Sequence, residues 1–202
     1  MPSDAFFPAT GMPDSDWWSA LWPDPEGALR ALGIELHMTV IDLCCGDGHF
    51  TAPLARLVGG RVYGVDLDPA MLDKARAAVG RAGAGVRKWI RADAMDLARL
   101  IPEKADFVLI ANTFHGVPDQ TGLSRGAAAV LKPGGAFAIV NWHPLPREKT
   151  VVLGAPRGPK TELRMAPEQV RAVVEPAGFE WQRLVELPPY HYGAVFHRIE
   201  SD

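Results

Sequence analysis

Short apolar runs that alternate with helix-like segments constrain the fold of this chain more than any other feature. The clearest runs are rich in β-branched and aromatic residues, as buried strands are, and cover 39–43, 61–66, 106–111 and 137–141. Weaker strand patterns follow at 86–91, at a predicted sheet edge, and at 181–187 and 194–198. Such alternation favours a mostly parallel sheet with helices on both faces. The sequence therefore predicts one doubly wound α/β domain over 1–202, with a seven-stranded, mostly parallel sheet whose last strand is antiparallel.

Two segments depart from this alternation. Residues 1–35 are rich in Pro, Asp and aromatic residues, and we expect them to form a cap that docks on the domain or a lid over the active site. Residues 144–166 carry prolines, glycines and charges without periodicity, which predicts an irregular insertion near the substrate site. We expect the basic side chains of this segment to be exposed to solvent, although one that points inward would suit a carboxylate or phosphate of the substrate. These side chains are Arg147, Lys149, Arg157, Lys160 and Arg164.

Charge and length exclude several classes of protein. The chain of 202 residues suffices for one compact domain, and its 21 basic and 24 acidic residues give a formal net charge of -3. This balance lacks the electrostatic footprint of a nucleic-acid-binding protein. No apolar run approaches the roughly 18 residues of a membrane-spanning helix, and no signal peptide is evident at the N-terminus. We therefore expect a cytoplasmic protein, a monomer or a homodimer, with neither nucleic acid nor membrane as a partner.

A glycine-rich loop follows the first predicted strand. Gly46 and Gly48 form a Gly-x-Gly turn between strand and helix, which lets a ligand approach the backbone and the helix N–H groups. About 18 residues after Gly48, the second strand ends in Asp66, whose carboxylate can accept hydrogen bonds from both hydroxyls of an adenosine ribose. Together these features predict an adenosine-containing cofactor at the carboxyl ends of the strands.

The loop favours S-adenosylmethionine over a nicotinamide cofactor. A nicotinamide enzyme requires a third glycine for helix–strand packing, and Thr51 occupies that position here. No basic residue stands ready for a pyrophosphate. Asp42, at the end of the first strand, can instead fix the loop and an ammonium group of a zwitterionic ligand.

Residues 38–142 resemble the class I S-adenosylmethionine-dependent methyltransferase superfamily, most closely the branch with ubiquinone/menaquinone-biosynthesis and arsenite methyltransferases. The resemblance lies in five motifs that occur in order: Asp42, Gly46 and Gly48 of the first loop, 65–72, Asp93-Ala94, 111–119 and 131–135. It implies methyl transfer to a small molecule by in-line displacement, without a fixed catalytic triad. It also implies that Asp93 accepts a hydrogen bond from the adenine amine. The predicted cofactor-binding residues are Asp42, Cys44, Gly46, Gly48, Phe50, Asp66, Leu67, Met71, Asp93, Ala94 and Asn112.

Cys44 departs from the family motif, since it replaces the first glycine. Its thiol either points toward the methionine end of the cofactor or is a small side chain tolerated in a tight turn. Cys44 and Cys45 are neighbours and cannot link distant parts of the chain, so no disulfide framework is expected. Paired thiols that bind a soft metalloid substrate stay an alternative at this point, whereas no structural metal site is predicted.

The acceptor side is less constrained by the sequence. Three residues in loops near the ligand edge are candidates for a catalytic base or substrate contact: His115, His143 and Tyr190. Aromatic side chains predicted around the mouth of the site are Trp18, Trp22, Phe114, Trp142 and Tyr192. The plainer interpretation is that each of these residues packs or holds loop shape. At the level of function, the alternative is an S-adenosylmethionine-binding module or partner subunit without transfer activity.

Overall fold

The computed structural model describes residue 7 and residues 10–199. The helices are α1 (Ser15–Leu21), α2 (Pro25–Ala31), α3 (Thr51–Leu57), α4 (Pro69–Arg81), α5 (Leu97–Leu100), α6 (Gln120–Val130) and α7 (Pro167–Val174). The strands are β1 (Val40–Leu43), β2 (Val62–Asp66), β3 (Lys88–Arg91), β4 (Ala105–Ala111), β5 (Leu131–Trp142), β6 (Val151–Val152), β7 (Ala155–Pro156), β8 (Phe179–Leu187) and β9 (His191–Arg198). Each strand of the main sheet coincides with a predicted run to within a few residues, except at the ends of β5 and β9.

Seven strands form the main sheet in the order β3-β2-β1-β4-β5-β9-β8. The pairs β1–β2, β2–β3, β1–β4 and β4–β5 are parallel, whereas β9 runs antiparallel to both β5 and β8. The predicted fold is therefore confirmed, including the edge position of residues 86–91 and the antiparallel last strand. The strand order reverses between β1 and β4, which is where doubly wound sheets bind ligands.

Each central strand contributes to two hydrophobic cores, because successive side chains point to opposite faces of a sheet. Along β4, Val108 and Ile110 enter one core, while Phe107 and Leu109 enter the other. Leu123 of α6 and Val170 of α7 close the first core, and side chains of α1, α2 and α3 close the second. Both faces of β1 are thus covered by side chains, and only the ends of the strand are left uncovered.

The N-terminal segment packs against this second core. Trp17, Trp18 and Leu21 of α1 are buried, and the rings of Trp17 and Trp18 meet edge to face at 5.7 Å. Asp24 accepts a hydrogen bond of 2.8 Å from the Gly27 N–H and so caps α2. The predicted cap over 1–35 lies partly outside the described residues, at 1–6 and 8–9.

Two local expectations need correction. The insertion 144–166 is not irregular throughout, because β6 and β7 form a short antiparallel hairpin that is too brief to show periodicity. The connection between the predicted strands 181–187 and 194–198 is shorter than expected, since β9 already begins at His191, which pairs with Trp142 of β5. Among the described residues, no helix is long and apolar enough to cross a membrane.

Candidate cofactor and acceptor site

A cavity of about 820 Å³ lies beyond the carboxyl ends of β1, β2 and β4. Its walls are the segment before and within α1, the loops that follow β1 to β4, the end of β5 and part of the insertion. The volume falls in the range of small-molecule and cofactor sites, roughly 300–1000 Å³. The described part of the chain therefore forms a cavity of ligand size at the point where the sequence motifs predict a ligand.

The loop after β1 folds as a tight turn attached to β2. Cys44, Gly46 and Gly48 all have positive φ, at 59°, 54° and 87°. The Cys45 N–H donates to the Val65 carbonyl at 3.0 Å, and the Gly46 N–H donates to Asp66 Oδ2 at 2.8 Å. The turn requires left-handed backbone, which favours glycine, and Cys44 adopts it although it carries a side chain.

Asp42 is a buried carboxyl at the base of the cavity, 2% exposed. Its Oδ2 accepts a hydrogen bond of 2.6 Å from Thr51 Oγ1, so the residue that replaces the third glycine of a dinucleotide motif has a defined partner. Burial raises the pKa of Asp42 to about 7; the Thr51 hydrogen bond opposes this shift and the nearby Asp66 charge adds to it. Asp42 is thus protonated in a large share of molecules near neutral pH.

This raised pKa makes the stability of the chain depend on pH. The pKa of Asp42 in the folded state lies above its usual value of 3.8, so the folded state binds this proton more tightly than the unfolded state does. Protonated Asp42 therefore stabilises the fold fully below about pH 4, and this contribution is lost as the pH rises through about 7. We therefore expect the free energy of unfolding of the wild type to fall, relative to that of Asp42→Asn, as the pH rises over this interval. Urea denaturation of both proteins from pH 4 to 8 measures it; a difference that is constant across the interval would contradict the assignment.

Asp66 ends β2 and lines the cavity. Its Oδ1 accepts a hydrogen bond from the Asp68 N–H at 2.9 Å, and its Oδ2 accepts the one from Gly46. Burial raises the pKa of Asp66, while these backbone hydrogen bonds lower it. A carboxylate offers about four acceptor positions, so two are left for a ligand. The residue is therefore held rigidly and can still accept hydrogen bonds from a pair of hydroxyls.

Asn112 follows β4 in a left-handed conformation, with φ of 60°. Its backbone N–H donates to the Val140 carbonyl at 2.8 Å, and the residue lines the cavity. Both polar atoms of its side-chain amide are buried and have no hydrogen-bond partner among the residues that the structure describes. Since buried polar groups are normally paired, an unpaired amide in a cavity wall indicates a place for a polar ligand.

Comparison with known proteins decides the family. A methyltransferase domain model matches residues 40–135. A 2-phytyl-1,4-naphtoquinone methyltransferase from Synechococcus elongatus is 38% identical over 110 residues, which cover 52% of this chain and 46% of that protein. The ubiquinone/menaquinone biosynthesis C-methyltransferase UbiE of Escherichia coli is 30% identical over 174 residues, covering 73% of this chain and 68% of that protein. The chain belongs to the class I S-adenosylmethionine-dependent methyltransferases.

The structure supports the same family over nearly its whole length. A crystallised S-adenosylmethionine-dependent methyltransferase from Aquifex aeolicus matches with a TM-score of 0.74 and 25% identity, covering 92% of this chain and 94% of that one. The chain spans about half the length of the first curated relatives it matches. The resemblance predicted from the sequence, and with it S-adenosylmethionine as the cofactor, is confirmed.

The cavity fits the cofactor of these methyltransferases. The polar groups of the wall suit an adenosine and an amino-acid group. Carboxylates can accept hydrogen bonds from hydroxyls and an amine, and the side-chain amide of Asn112 can both donate and accept. Asp93 lines the same wall, and its Oδ1 accepts from the Met95 N–H at 2.9 Å, which fixes the side chain. The predicted cofactor-binding residues found in the cavity wall are Asp42, Cys44, Gly46, Phe50, Asp66, Leu67, Met71, Asp93, Ala94 and Asn112.

Gly48 is the predicted cofactor residue that the cavity wall does not include. An added Cβ would lie 2.7 Å from the Ala75 Cα and 3.0 Å from the Ala75 Cβ of α4. Glycine at this position therefore allows the loop after β1 to lie close to α4. Its position does not support the prediction that it contacts the cofactor.

Of the eight residues predicted to act on the acceptor, only three line the cavity. His115, Trp18 and Trp142 line the cavity. The cavity wall does not include the other five, which are Trp22, Phe114, His143, Tyr190 and Tyr192.

Each of these five residues has a packing or bonding role that accounts for its position. Phe114 is fully buried and packs on Phe137, with 6.4 Å between ring centroids. Trp22 packs on Phe50 and His191. The placement of these two rings in the core therefore argues against their predicted contact with the acceptor.

The remaining three are held by polar contacts near the ends of β8 and β9. His143 Nε2 lies 2.9 Å from Glu186 Oε2. The Tyr190 hydroxyl donates to the Val151 carbonyl at 3.0 Å, and the Tyr192 hydroxyl donates to the Met165 carbonyl at 2.7 Å. The two tyrosine hydroxyls thus bond to the insertion, whereas the predicted roles of all three residues as base or acceptor contact stay predictions.

His49 is a cavity residue that the sequence interpretation missed. Its ring contacts Trp18 and Phe50, with centroids 5.8 and 5.3 Å away. Its Nε2 is buried, and within the described part of the chain it has no hydrogen-bond partner. Burial lowers the pKa of His49, although the Asp47 charge opposes the shift. Its place directly after Gly48 in the glycine loop is the signal that could have identified it.

The thiols of the loop are not activated. Burial raises the pKa of both Cys44 and Cys45 well above the usual value, and the Asp66 and Asp42 charges add to the shift. The thiolate, which is the form that binds soft metals and metalloids, is therefore disfavoured at both residues. Within residues 7 and 10–199, no group of three or more His, Cys, Asp or Glu side chains is arranged to hold a metal ion.

Proposed function

We propose that this chain transfers a methyl group from S-adenosylmethionine to a nucleophilic atom of a small molecule. The observation that carries the proposal is the composition of the single cavity described above. Its wall joins the residues suited to the cofactor, such as Asp66 and Asn112, to a second set suited to an acceptor, His115 and three tryptophans. The tryptophans are Trp17, Trp18 and Trp142.

When bound, the cofactor supplies an electrophilic methyl carbon. Its sulfur would serve as the leaving group and keep the pair of the carbon–sulfur bond when a lone pair of the acceptor bonded to the carbon. The residues of the chain position the two reactants and exclude water, because displacement requires the nucleophile, the carbon and the leaving sulfur to lie in line. Where the acceptor is a hydroxyl or thiol, His115 takes its proton.

The cavity supports a compact acceptor. Trp17 and Trp18 of α1 and Trp142 of β5 all line the cavity, so flat apolar surfaces form part of its wall. The net charge of -3 also disfavours a nucleic acid as acceptor. We propose that the protein acts as a monomer or a homodimer, without nucleic acid.

The experiment that tests the proposal measures S-adenosylhomocysteine release from S-adenosylmethionine across a panel of phenols, thiols, amines and metalloid oxyanions. We expect turnover confined to one class of nucleophile. Tight cofactor binding with no release from any class would contradict methyl transfer to these acceptors and favour a cofactor-binding module.

His115 provides a sharper test of the acceptor side. With the acceptor that the panel identifies, we expect His115→Ala to lower kcat by about 100-fold if that acceptor must lose a proton, since general base catalysis contributes at least this much. Affinity for S-adenosylmethionine should stay within about threefold, because the change removes a proton acceptor and leaves the cofactor wall intact.

His143→Ala is the matched control, because His143 contacts Glu186 and does not line the cavity. Its kcat should stay close to that of the wild type. Equal losses of kcat in the two variants would contradict the assignment of His115 as the base.

A further inference from the structure

The insertion between β5 and α7 brings three cationic side chains, Arg147, Arg157 and Lys160, to the cavity wall. Arg147 and Lys160 are exposed, and Arg157 is half-buried. Lys149, in the same stretch of chain, does not line the cavity. Only part of the basic insertion therefore faces a ligand.

These cations have no acidic partner within the chain that the structure describes. The eight ion pairs found among residues 7 and 10–199 include none of them. The Nε of Arg157 is also buried, and no described residue forms a hydrogen bond with it. A half-buried guanidinium with an unpaired donor normally has a carboxylate or phosphate as its partner.

Contacts with neighbouring groups hold two of the three cations, Arg157 and Arg147, in place. The Arg157 guanidinium lies over the Trp17 ring, 5.2 Å from its centroid. Arg147 Nε donates to the Gly158 carbonyl at 3.0 Å. The cationic cluster is therefore attached to both α1 and the insertion.

Arg164 organises the backbone around this cluster. Its guanidinium is buried and donates to the Pro159 and Leu145 carbonyls, at 3.1 and 2.9 Å, and to the Arg157 carbonyl at 3.1 Å. Burial lowers the pKa of Arg164, and the Arg147 charge adds to this effect. Positive charge thus accumulates on the insertion side of the cavity, where the Glu148 charge offsets only part of it, and such a field favours an anion.

We propose that the methyl acceptor carries an anionic group, a carboxylate or phosphate, which Arg157 binds together with Arg147 and Lys160. This inference rests on the proposed function, because it assigns part of the same cavity to the acceptor. The cluster follows β5, whereas the carboxylates suited to the cofactor, Asp66 and Asp93, follow β2 and β3 on the other side of β1 and β4. Its position favours the acceptor over the carboxylate of the cofactor itself.

The test compares probes that share a phenol ring and carry either an anionic or a neutral group para to the hydroxyl. Calorimetric titration of the full chain saturated with S-adenosylhomocysteine measures binding of 4-hydroxybenzoate, 4-hydroxyphenyl phosphate and the neutral 4-hydroxybenzamide. Because charge-assisted paired hydrogen bonds are strong, we expect at least one anionic probe to bind about tenfold more tightly than the amide. This preference should fall below about threefold in Arg157→Gln and decrease between 50 and 500 mM NaCl.

Lys149→Gln is the matched control, since it removes the same charge from the same insertion outside the cavity. It should keep the full preference, and Lys160→Gln provides a second cavity variant at an exposed position if Arg157→Gln does not fold. Equal binding of the anionic and neutral probes by the wild type would overturn the inference, as would an equal effect of Lys149→Gln.

Titration with S-adenosylhomocysteine alone separates the sources of the anion. If Arg157→Gln weakens this titration as much as it weakens the anionic probes, the cluster binds the cofactor carboxylate and the inference is wrong. If the wild type binds no S-adenosylhomocysteine, the proposed function itself has failed. Unchanged cofactor binding together with a lost anion preference is the result that supports an anionic acceptor.

Discussion

Replacement of Asp66 by alanine is expected to weaken S-adenosylmethionine binding by about 100-fold. The variant removes the carboxylate suited to two ribose hydroxyls, and hydrogen bonds to a charged group contribute roughly 1.5–3 kcal/mol each. It also removes the acceptor of the Gly46 N–H, which orients the glycine loop beneath the cofactor. Isothermal titration calorimetry of wild type and variant measures the loss.

Asp73→Ala is a suitable control for this prediction. Asp73 is an exposed residue of α4 that pairs with Arg76, so the variant makes the same change in net charge away from the cavity. Its affinity for the cofactor should equal that of the wild type. Unchanged binding by a folded Asp66→Ala variant would disprove the role of the second motif.

The second large effect concerns stability, at Gly48. Gly48→Ala should lower the free energy of unfolding by roughly 2–5 kcal/mol, from left-handed strain and from overpacking together. The backbone at this position has φ of 87°, and the added Cβ would lie 2.7 Å from the Ala75 Cα, an atom of helix α4 that a side-chain rotation cannot move away. Urea denaturation of both proteins measures the difference.

Gly80→Ala in α4 is the matched control, because an added Cβ there has no heavy atom within 4 Å. It should be neutral or raise the free energy of unfolding by up to about 1 kcal/mol, since alanine favours a helix. A Gly48→Ala variant as stable as the wild type would show that the loop and α4 approach less closely than described.

The cofactor side of the site could be predicted from the sequence because its residues follow buried strands directly. Asp66 ends one such strand and Asn112 follows another, so the parallel sheet alone brings both to one edge. Gly48 is the instructive exception. A glycine pattern indicates close approach of the backbone to something, and here the neighbour is α4.

The acceptor side could not be predicted in the same way, since its residues lie in turns and at strand ends. Phe114 and His115 are neighbours in one 3₁₀ turn, yet the first enters the core and the second lines the cavity. The sequence does not fix the direction of such a turn. Tyr192 illustrates the importance of register: β9 begins earlier than predicted, which places this ring in the core.

The orientation of the basic insertion depends on tertiary contacts that no local pattern reveals. Arg164 is buried by packing over the Trp142 ring, 5.0 Å from its centroid, and its hydrogen bonds fix the surrounding loop. From composition alone, Arg157 and Lys149 are equivalent solvated charges. The structure distinguishes them because only Arg157 lies over Trp17 and in the cavity wall.

The most direct test of the account is a calorimetric titration of the full chain with S-adenosylmethionine and, separately, with NAD⁺. The geometry of the loop after β1, with Thr51 bonded to Asp42, predicts one site that binds S-adenosylmethionine and no measurable binding of NAD⁺. Binding of NAD⁺ in place of S-adenosylmethionine, or of neither, would contradict the assignment of the cavity.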